Sequence, residues 1–280
     1  MSDCKSCPSQ GTCSTEKQNT CEITNNPLNK VKNIIGVMSG KGGVGKSTVT
    51  SLLGVSLKEQ GYRVGVMDAD VTGPSIPKLF GKNDSHAKAN KKGIFPIKSD
   101  MGIKLMSINF LLENKDDPVI WRGPAAASVV KQFFNEVHWG ELDYLLIDLP
   151  PGTGDVHLSI VQALPINGAV VVSTPQNIAL ADAKKGVAMF QQDSIKVPVL
   201  GIIENMAYFT PEELPNNKYY IFGKDGAKNL ATNINTTFLG EIPLVQSIRE
   251  AGDVGHPVAL QEGTVLEKAF QDITKEMVSQ

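Results

Sequence analysis

With 280 residues, the chain is long enough to bury a substantial core, as one large α/β domain or two small ones. Its 27 Lys and Arg against 29 Asp and Glu leave a formal net charge of −2, which argues against a nucleic-acid partner or an anionic membrane surface. No apolar run is long enough to span a bilayer, so no membrane-embedded role is expected.

Residues 1–29 are rich in Ser, Thr, Asn, Gln and Lys and poor in large apolar side chains. That composition predicts a flexible extension, with the folded domain over 30–280. The stretch also lacks the apolar segment of a signal peptide, so a cytoplasmic protein is expected. All four cysteines lie here, at Cys4, Cys7, Cys13 and Cys21. Such crowding implies a joint role, and in a reducing compartment that role is metal or redox chemistry rather than disulfide bonding. Cys4-x-x-Cys7 offers two thiolates to one metal, and Cys13 and Cys21 complete a tetrahedral set. An iron–sulfur cluster and Zn²⁺ both satisfy those ligands, and a metal-free redox-sensitive tail is the third reading.

An apolar run over 34–38 reads as a buried strand. It leads into Gly40-Lys41-Gly42-Gly43-Val44-Gly45-Lys46-Ser47-Thr48, which fits the phosphate-loop pattern G-x-x-x-x-G-K-[ST]. A helix over 47–59 follows, with Leu52, Leu53, Val55 and Leu57 spaced to pack on a sheet. Strand, glycine loop and helix are the context the motif requires. The glycines let successive N–H groups point inward, and the helix aims its positive dipole end at the same spot. Lys46 is expected on the β- and γ-phosphates of a nucleoside triphosphate, and the Ser47 hydroxyl on Mg²⁺. Lys41 places a second lysine in the loop; it is either a solvated charge or a cation kept there to meet phosphate.

Gly61 ends that helix, and 63–67 reads as the next buried strand. It delivers Asp68 and Asp70, two carboxylates at a strand's carboxyl end beside the phosphate site. Such a pair suits metal and water handling, or the capping of the following turn. Residues 82–102 are polar and lysine-rich; 93–97 and 103–108 look like a hairpin, in an insertion expected at an edge of the main sheet. Asn114-Lys115-Asp116-Asp117 matches a guanine-reading signature but precedes the second carboxylate strand, so it reads as coincidence. Arg122 precedes a predicted helix over 125–137, where it could meet phosphate or a surface acid. Residues 142–148 form an apolar strand ending in Asp148, the Walker B pattern, whose acid is expected to hold Mg²⁺ directly or through water. The glycine-punctuated stretch 149–155 suits a loop that senses the γ-phosphate. Further strands are predicted over 169–173, 197–204 and 237–239, and helices over 179–191, 244–251 and 263–278. Repeated βα units with near-continuous apolar strands predict an α/β P-loop NTPase with a mostly parallel sheet and helices on both faces.

With its second lysine, the loop resembles the deviant Walker A branch of P-loop ATPases, which includes the nitrogenase iron protein and MinD. More specifically, the chain resembles the Mrp (ApbC) family of iron–sulfur cluster carrier ATPases. The residues that carry this are Gly40 to Thr48, Met67-Asp68-Ala69-Asp70 with Gly73-Pro74-Ser75-Ile76-Pro77, Trp121-Arg122-Gly123-Pro124, and Asp148 through Asp155. Ser173-Thr174-Pro175-Gln176, Glu204-Asn205-Met206 and Gly240-Glu241-Ile242-Pro243-Leu244 extend it. The resemblance implies a weak Mg²⁺-dependent ATPase, working as a homodimer that delivers a cluster to apo iron–sulfur proteins. It implies that Lys41 crosses to the partner's nucleotide, that Asp70 helps activate the attacking water, that Asn205 reads the adenine edge, and that the stretch beginning at Pro243 flanks the base. Cys4-x-x-Cys7-Pro8 followed by Cys13 resembles the cysteine-rich extension of the eukaryotic branch, which holds a 4Fe–4S cluster. That extension has its fourth cysteine upstream, whereas here Cys21 lies downstream.

A second departure is larger. Family members commonly carry a C-x-x-C pair after the Asn-Met segment, where two subunits share a bridging cluster. Here the stretch reads Met206-Ala207-Tyr208-Phe209-Thr210-Pro211-Glu212-Glu213, without cysteine. Carboxylates are poor substitutes for soft thiolates, so the tail becomes the only thiolate source. Two other readings compete with a carrier: a MinD- or ParA-like positioning ATPase, and a dimeric ATPase with a zinc-binding docking tail. The first calls for a basic amphipathic C-terminal helix or a basic stripe; residues 266–278 are mixed in charge.

Overall fold

The computed structural model describes residues 29–90, 93–112, 123–211, 213–256 and 263–280. Its main sheet has eight strands in the order β10-β9-β8-β1-β7-β2-β6-β5. At the centre, β1 (Lys30–Met38) lies between β7 (Glu141–Asp148) and β8 (Gly168–Ser173), both parallel to it. The strand β2 (Val64–Asp68) pairs with β7 and with β6 (Lys104–Met106), while β9 (Val199–Phe209) joins β8 to the edge strand β10 (Phe238–Leu244). Only β5 (Ile97–Lys98) runs antiparallel in this sheet. Every residue of β2 and β8 is buried, which is why those strands read as unbroken apolar runs rather than alternating ones.

Both faces are covered. A Cβ added to Gly54 of α1 (Lys46–Glu59) would touch Val66 of β2, whereas one added to Gly65, the residue before it in β2, would touch Trp139. Trp139 lies beneath α3 (Gly123–Glu136), donating its indole N–H to the Phe133 carbonyl. The last helix, α8 (Val265–Ser279), packs on α1, where Gln60 donates to Thr274 Oγ1 at 2.6 Å. Glycines at positions 54 and 65 let helix and strand approach closely on opposite sides of one strand.

Several boundaries differ from expectation. The edge insertion is present, but the hairpin is β5 with β6, and β4 (Gly93–Phe95) instead pairs with β3 (Lys88–Asn90) in a separate ribbon. The strand expected over 197–204 runs on to Phe209, and 237–239 is the start of a longer strand reaching Leu244. Three helices were not read from the sequence: α2 (Ile76–Leu79), α4 (Asp155–Ala163) and α6 (Gly226–Asn233). The helices α5 (Asn177–Phe190) and α7 (Gln246–Val254) lie within three residues of their predicted bounds. No helix among the described residues is long and apolar enough to cross a membrane.

Candidate nucleotide-binding site

Adjacent parallel strands deliver the site at their carboxyl ends. The central strand β1 hands the chain to the phosphate loop, β2 ends in Asp68 and β7 in Asp148, with Asp68 and Asp148 directly paired across the ladder. α1 begins at Lys46, so the first turn of a fourteen-residue helix points its free N–H groups at the loop. The glycines are needed for space. At Gly40 a Cβ would lie 2.3 Å from the Asp182 carbonyl carbon in α5. At Gly45, where φ is 82°, it would lie 2.3 Å from the Asn205 side-chain nitrogen. At Gly42 and Gly43 it would meet nothing within 4 Å, so the loop's middle encloses open space rather than packed protein.

The polar centre is Asp148, fully buried at the end of β7. Lys46 Nζ lies 2.8 Å from its Oδ1, with the two side chains 7% and 0% exposed. Ser47 donates to Oδ2 at 2.6 Å, and Thr50 to Oδ1 at 2.9 Å. Lys46 also donates to Ser47 Oγ at 3.2 Å. A buried ion pair survives only when both charges are matched and hydrogen-bonded, and this one meets that condition. Ser47 and Asp148 together present hard oxygens at one point beside the loop, a donor set that fits Mg²⁺ shared with phosphate oxygens. Sequence reasoning passed over Thr50, although its place three residues after Ser47 on a helix puts both hydroxyls on one face.

Of the two acids at the carboxyl end of β2, Asp68 is a cap. Its Oδ2 accepts the N–H groups of Ser75 at 3.0 Å and Ile76 at 3.1 Å, tying the loop to the first turn of α2. Burial, and then the like charge of Asp148, push its pKa well above the usual carboxylate range. Asp70 is half-buried and accepts from Thr72 Oγ1 at 2.9 Å and Gly73 N at 3.2 Å, which shapes the exposed turn it heads. Lys41 stands exposed on the loop, and its ammonium meets no partner among the described residues.

On the far side of α1's first turn lies a cavity of about 340 Å³. Thr48, Asn205, Met206, Pro243, Leu244 and Ile248 are among its lining residues. That volume is at the lower end of small-molecule sites, and its largely apolar walls suit a planar base. Asn205 is held in place by donating to the Val44 carbonyl at 2.8 Å, so it joins β9 to the phosphate loop. Pro243 sits in the edge strand at a register shift between Ile242 and Leu244, where the missing N–H leaves no gap in the ladder. Neighbouring Glu204, buried, accepts the Ala227 N–H at the start of α6, and burial raises its pKa. The structure thus gathers residues 40–48, Asp148, Asn205 and Pro243 around one face. The cysteines at 4, 7, 13 and 21, together with 114–117, Arg122 and Glu212, lie outside the described residues. Among the described residues no group of three His, Cys, Asp or Glu could hold a metal ion.

Residues 30–278 match the ParA family model described as NUBPL iron-transfer P-loop NTPase. The chain belongs to this family. An iron–sulfur cluster carrier protein from Methanocaldococcus jannaschii is 45% identical over 280 residues, spanning 98% of this chain and 95% of the relative. A nucleotide-binding protein from Archaeoglobus fulgidus, solved in complex with ADP, is 43% identical, with a TM-score of 0.74 over 86% of this chain and 92% of that one. The cell-division ATPase MinD from Pyrococcus furiosus is 22% identical with a TM-score of 0.63, covering 88% and 98% of the two chains, and shares the fold. The family is therefore the one to which the motifs pointed, and its members are P-loop NTPases by fold.

Proposed function

We propose that this protein is a cytoplasmic, ATP-binding and slowly hydrolysing homodimer that carries an iron–sulfur cluster and passes it to apoproteins. The observation that supports the nucleotide half is the convergence of Lys46, Ser47 and Thr50 on buried Asp148 beside an open glycine loop. The cargo half is supported by the family match and by relatives named as cluster carriers.

Residues 40–48 hold the phosphates in this reading, and Asn205 and Pro243 flank the base. When ATP enters, Lys46 exchanges the Asp148 carboxylate for β- and γ-phosphate oxygens, one anion for another. Asp148 and Ser47 are then free to hold Mg²⁺, which draws negative charge off the phosphates when bound. Asp70 accepts a hydrogen bond from the attacking water, whose oxygen bonds to the γ-phosphorus as the bond to the β–γ bridging oxygen breaks; that electron pair leaves on ADP, and the water's proton goes to the released phosphate. Lys41, exposed and without a partner among the described residues, supplies a cation to the nucleotide of a second subunit. The thiolates for the cargo come from Cys4, Cys7, Cys13 and Cys21 in the 1–29 extension, since no later position is a cysteine. A 4Fe–4S cluster uses four such thiolates.

The test is iron, acid-labile sulfide and zinc content after anaerobic purification and cluster reconstitution, in the full chain and in the Cys4→Ser, Cys7→Ser double variant. Iron with matching sulfide is expected in the full chain, lost in the variant while ATP binding stays intact. Unchanged iron in the variant overturns the ligand assignment. Zinc without iron overturns the carrier and leaves a dimeric ATPase with a zinc docking tail.

A further inference from the structure

One buried titratable group beside the site has no part in the reading above. His157 lies in the first turn of α4, 1% exposed, with Nδ1 2.9 Å from the Pro150 carbonyl oxygen. Its ring stands edge-on to Phe190 of α5, with centroids 6.2 Å apart. A carbonyl can only accept, so Nδ1 carries the proton. Nε2 is then an acceptor, and it has no partner among the described residues. Burial lowers the pKa of this imidazole below its ordinary 6.5; the Pro150 hydrogen bond works against that and the Lys46 charge adds to it.

What His157 grips is the segment leaving Asp148. Leu149 N donates to the Val37 carbonyl at 3.0 Å and Gly152 N to the Ser39 carbonyl at 2.8 Å, fastening the segment to the end of β1. Between those anchors stand Pro150 and Pro151, which have no N–H to give. The segment's middle can be held only through its carbonyls, and the His157 imidazole takes that of Pro150. Beyond it, Thr153 and Gly154 are exposed, and a Cβ on Gly152 or Gly154 would meet nothing within 4 Å. One side of the segment is therefore pinned and the other has room to move.

We infer that His157 is a positioning residue for the nucleotide reaction: through the Pro150 carbonyl it fixes the 149–154 segment relative to Asp148, and so sets turnover rather than nucleotide affinity. The inference rests on the ATPase reading of the same site. An unpartnered buried acceptor is a cost to the fold. A residue kept for stability alone would be better as an apolar ring, and that difference makes the role testable.

The experiment compares His157→Phe and His157→Gln with the unaltered full chain. Phenylalanine keeps a ring against Phe190, removes the orphan acceptor and gives up the donor; glutamine keeps an N–H that can reach the carbonyl. With phenylalanine, the melting temperature is expected to hold or rise and ATP affinity to stay within about threefold. The same variant should lower kcat by about three- to tenfold, the size of one net hydrogen bond, and speed amide hydrogen exchange at Gly152. Glutamine is expected to restore most of kcat and of the exchange protection. Unchanged kcat and exchange with phenylalanine, or a fall in melting temperature matching the fall in kcat, overturns the inference. If the unaltered chain hydrolyses no ATP, the ATPase reading fails instead, and the Gly152 exchange rates of the two variants still decide the positioning role.

Discussion

Replacing Asp148 by asparagine keeps the shape of the side chain and removes its charge from a fully buried position. Three contacts change: the Lys46 ion pair at 2.8 Å, and the hydrogen bonds from Ser47 at 2.6 Å and Thr50 at 2.9 Å. The amide oxygen can still accept one of the hydroxyl protons, so the dominant loss is the ion pair. Removing one member of a buried pair costs about 3–5 kcal/mol, because the other charge is left desolvated and unmatched. An offset exists here. Asp68, whose carboxylate is disfavoured by Asp148, ionises more easily once that charge is gone and becomes the next anion for Lys46. The net loss should be about 2–4 kcal/mol, which for a chain of this size lowers the melting temperature by roughly 4–8 °C. Thermal unfolding without nucleotide measures it. The same melts with ATP, with and without Mg²⁺, should show that the variant has lost the Mg²⁺-dependent part of the stabilisation. An Asp148→Asn protein that melts at or above the original temperature without nucleotide refutes the role given to the Lys46–Asp148 pair.

Lys41→Ala removes an exposed side chain without a partner among the described residues, so stability should change by less than about 0.5 kcal/mol. ATP binding should persist while turnover and ATP-induced dimerisation are lost; sedimentation velocity with a slowly hydrolysed analogue checks this, and a full-strength dimer would count against it. Stability should also depend on pH from both sides. Asp68 has a raised pKa in the folded state, so its contribution is present below the ordinary carboxylate range and is lost as pH rises through the raised value. His157 runs the other way. Its folded pKa lies below the ordinary 6.5, so the unfolded chain takes up the proton first and stability falls as pH drops through 6.5 towards the folded value. Melting curves from pH 4 to pH 8 should therefore lose their fall towards low pH in His157→Phe, and lose part of their fall with rising pH above the ordinary carboxylate range in Asp148→Asn; parallel curves would refute both assignments.

The strands and the phosphate loop were legible because their signals are local and strong. The apolar runs leading to the loop and to Asp148 are buried parallel strands, and the glycine-lysine pattern has no common structural substitute. Helix α6 was not legible, because its buried residues are Ala227 and Ala231, one turn apart. A helix that packs through methyl groups leaves almost no hydrophobic period to detect. Helix α4 hides behind Pro150-Pro151-Gly152-Thr153-Gly154, which reads as a loop and masks where the helix begins. Both roles of Asp68, metal handling and capping, fit its place in the sequence. Only the backbone of Ser75 and Ile76, seven and eight residues on, distinguishes them. His157 gave no signal at all, since its partner is a main-chain carbonyl seven residues back.

The strand order has a consequence for how the protein is made. The strand carrying the phosphate loop leaves the ribosome well before its sheet neighbours: Lys30 pairs with Glu141, and Ile35 with Gly168. At about 5–20 residues per second, on the order of ten seconds separates that strand from β7, the first of its neighbours to be made. For that interval the run Ile34-Ile35-Gly36-Val37-Met38 has no sheet to join, and Lys46 has no Asp148 to face. Nucleotide cannot assist folding before then, because its cradle does not exist. A nascent chain of this topology depends on delayed, long-range pairing, with the slow collapse and chaperone demand that follow from it.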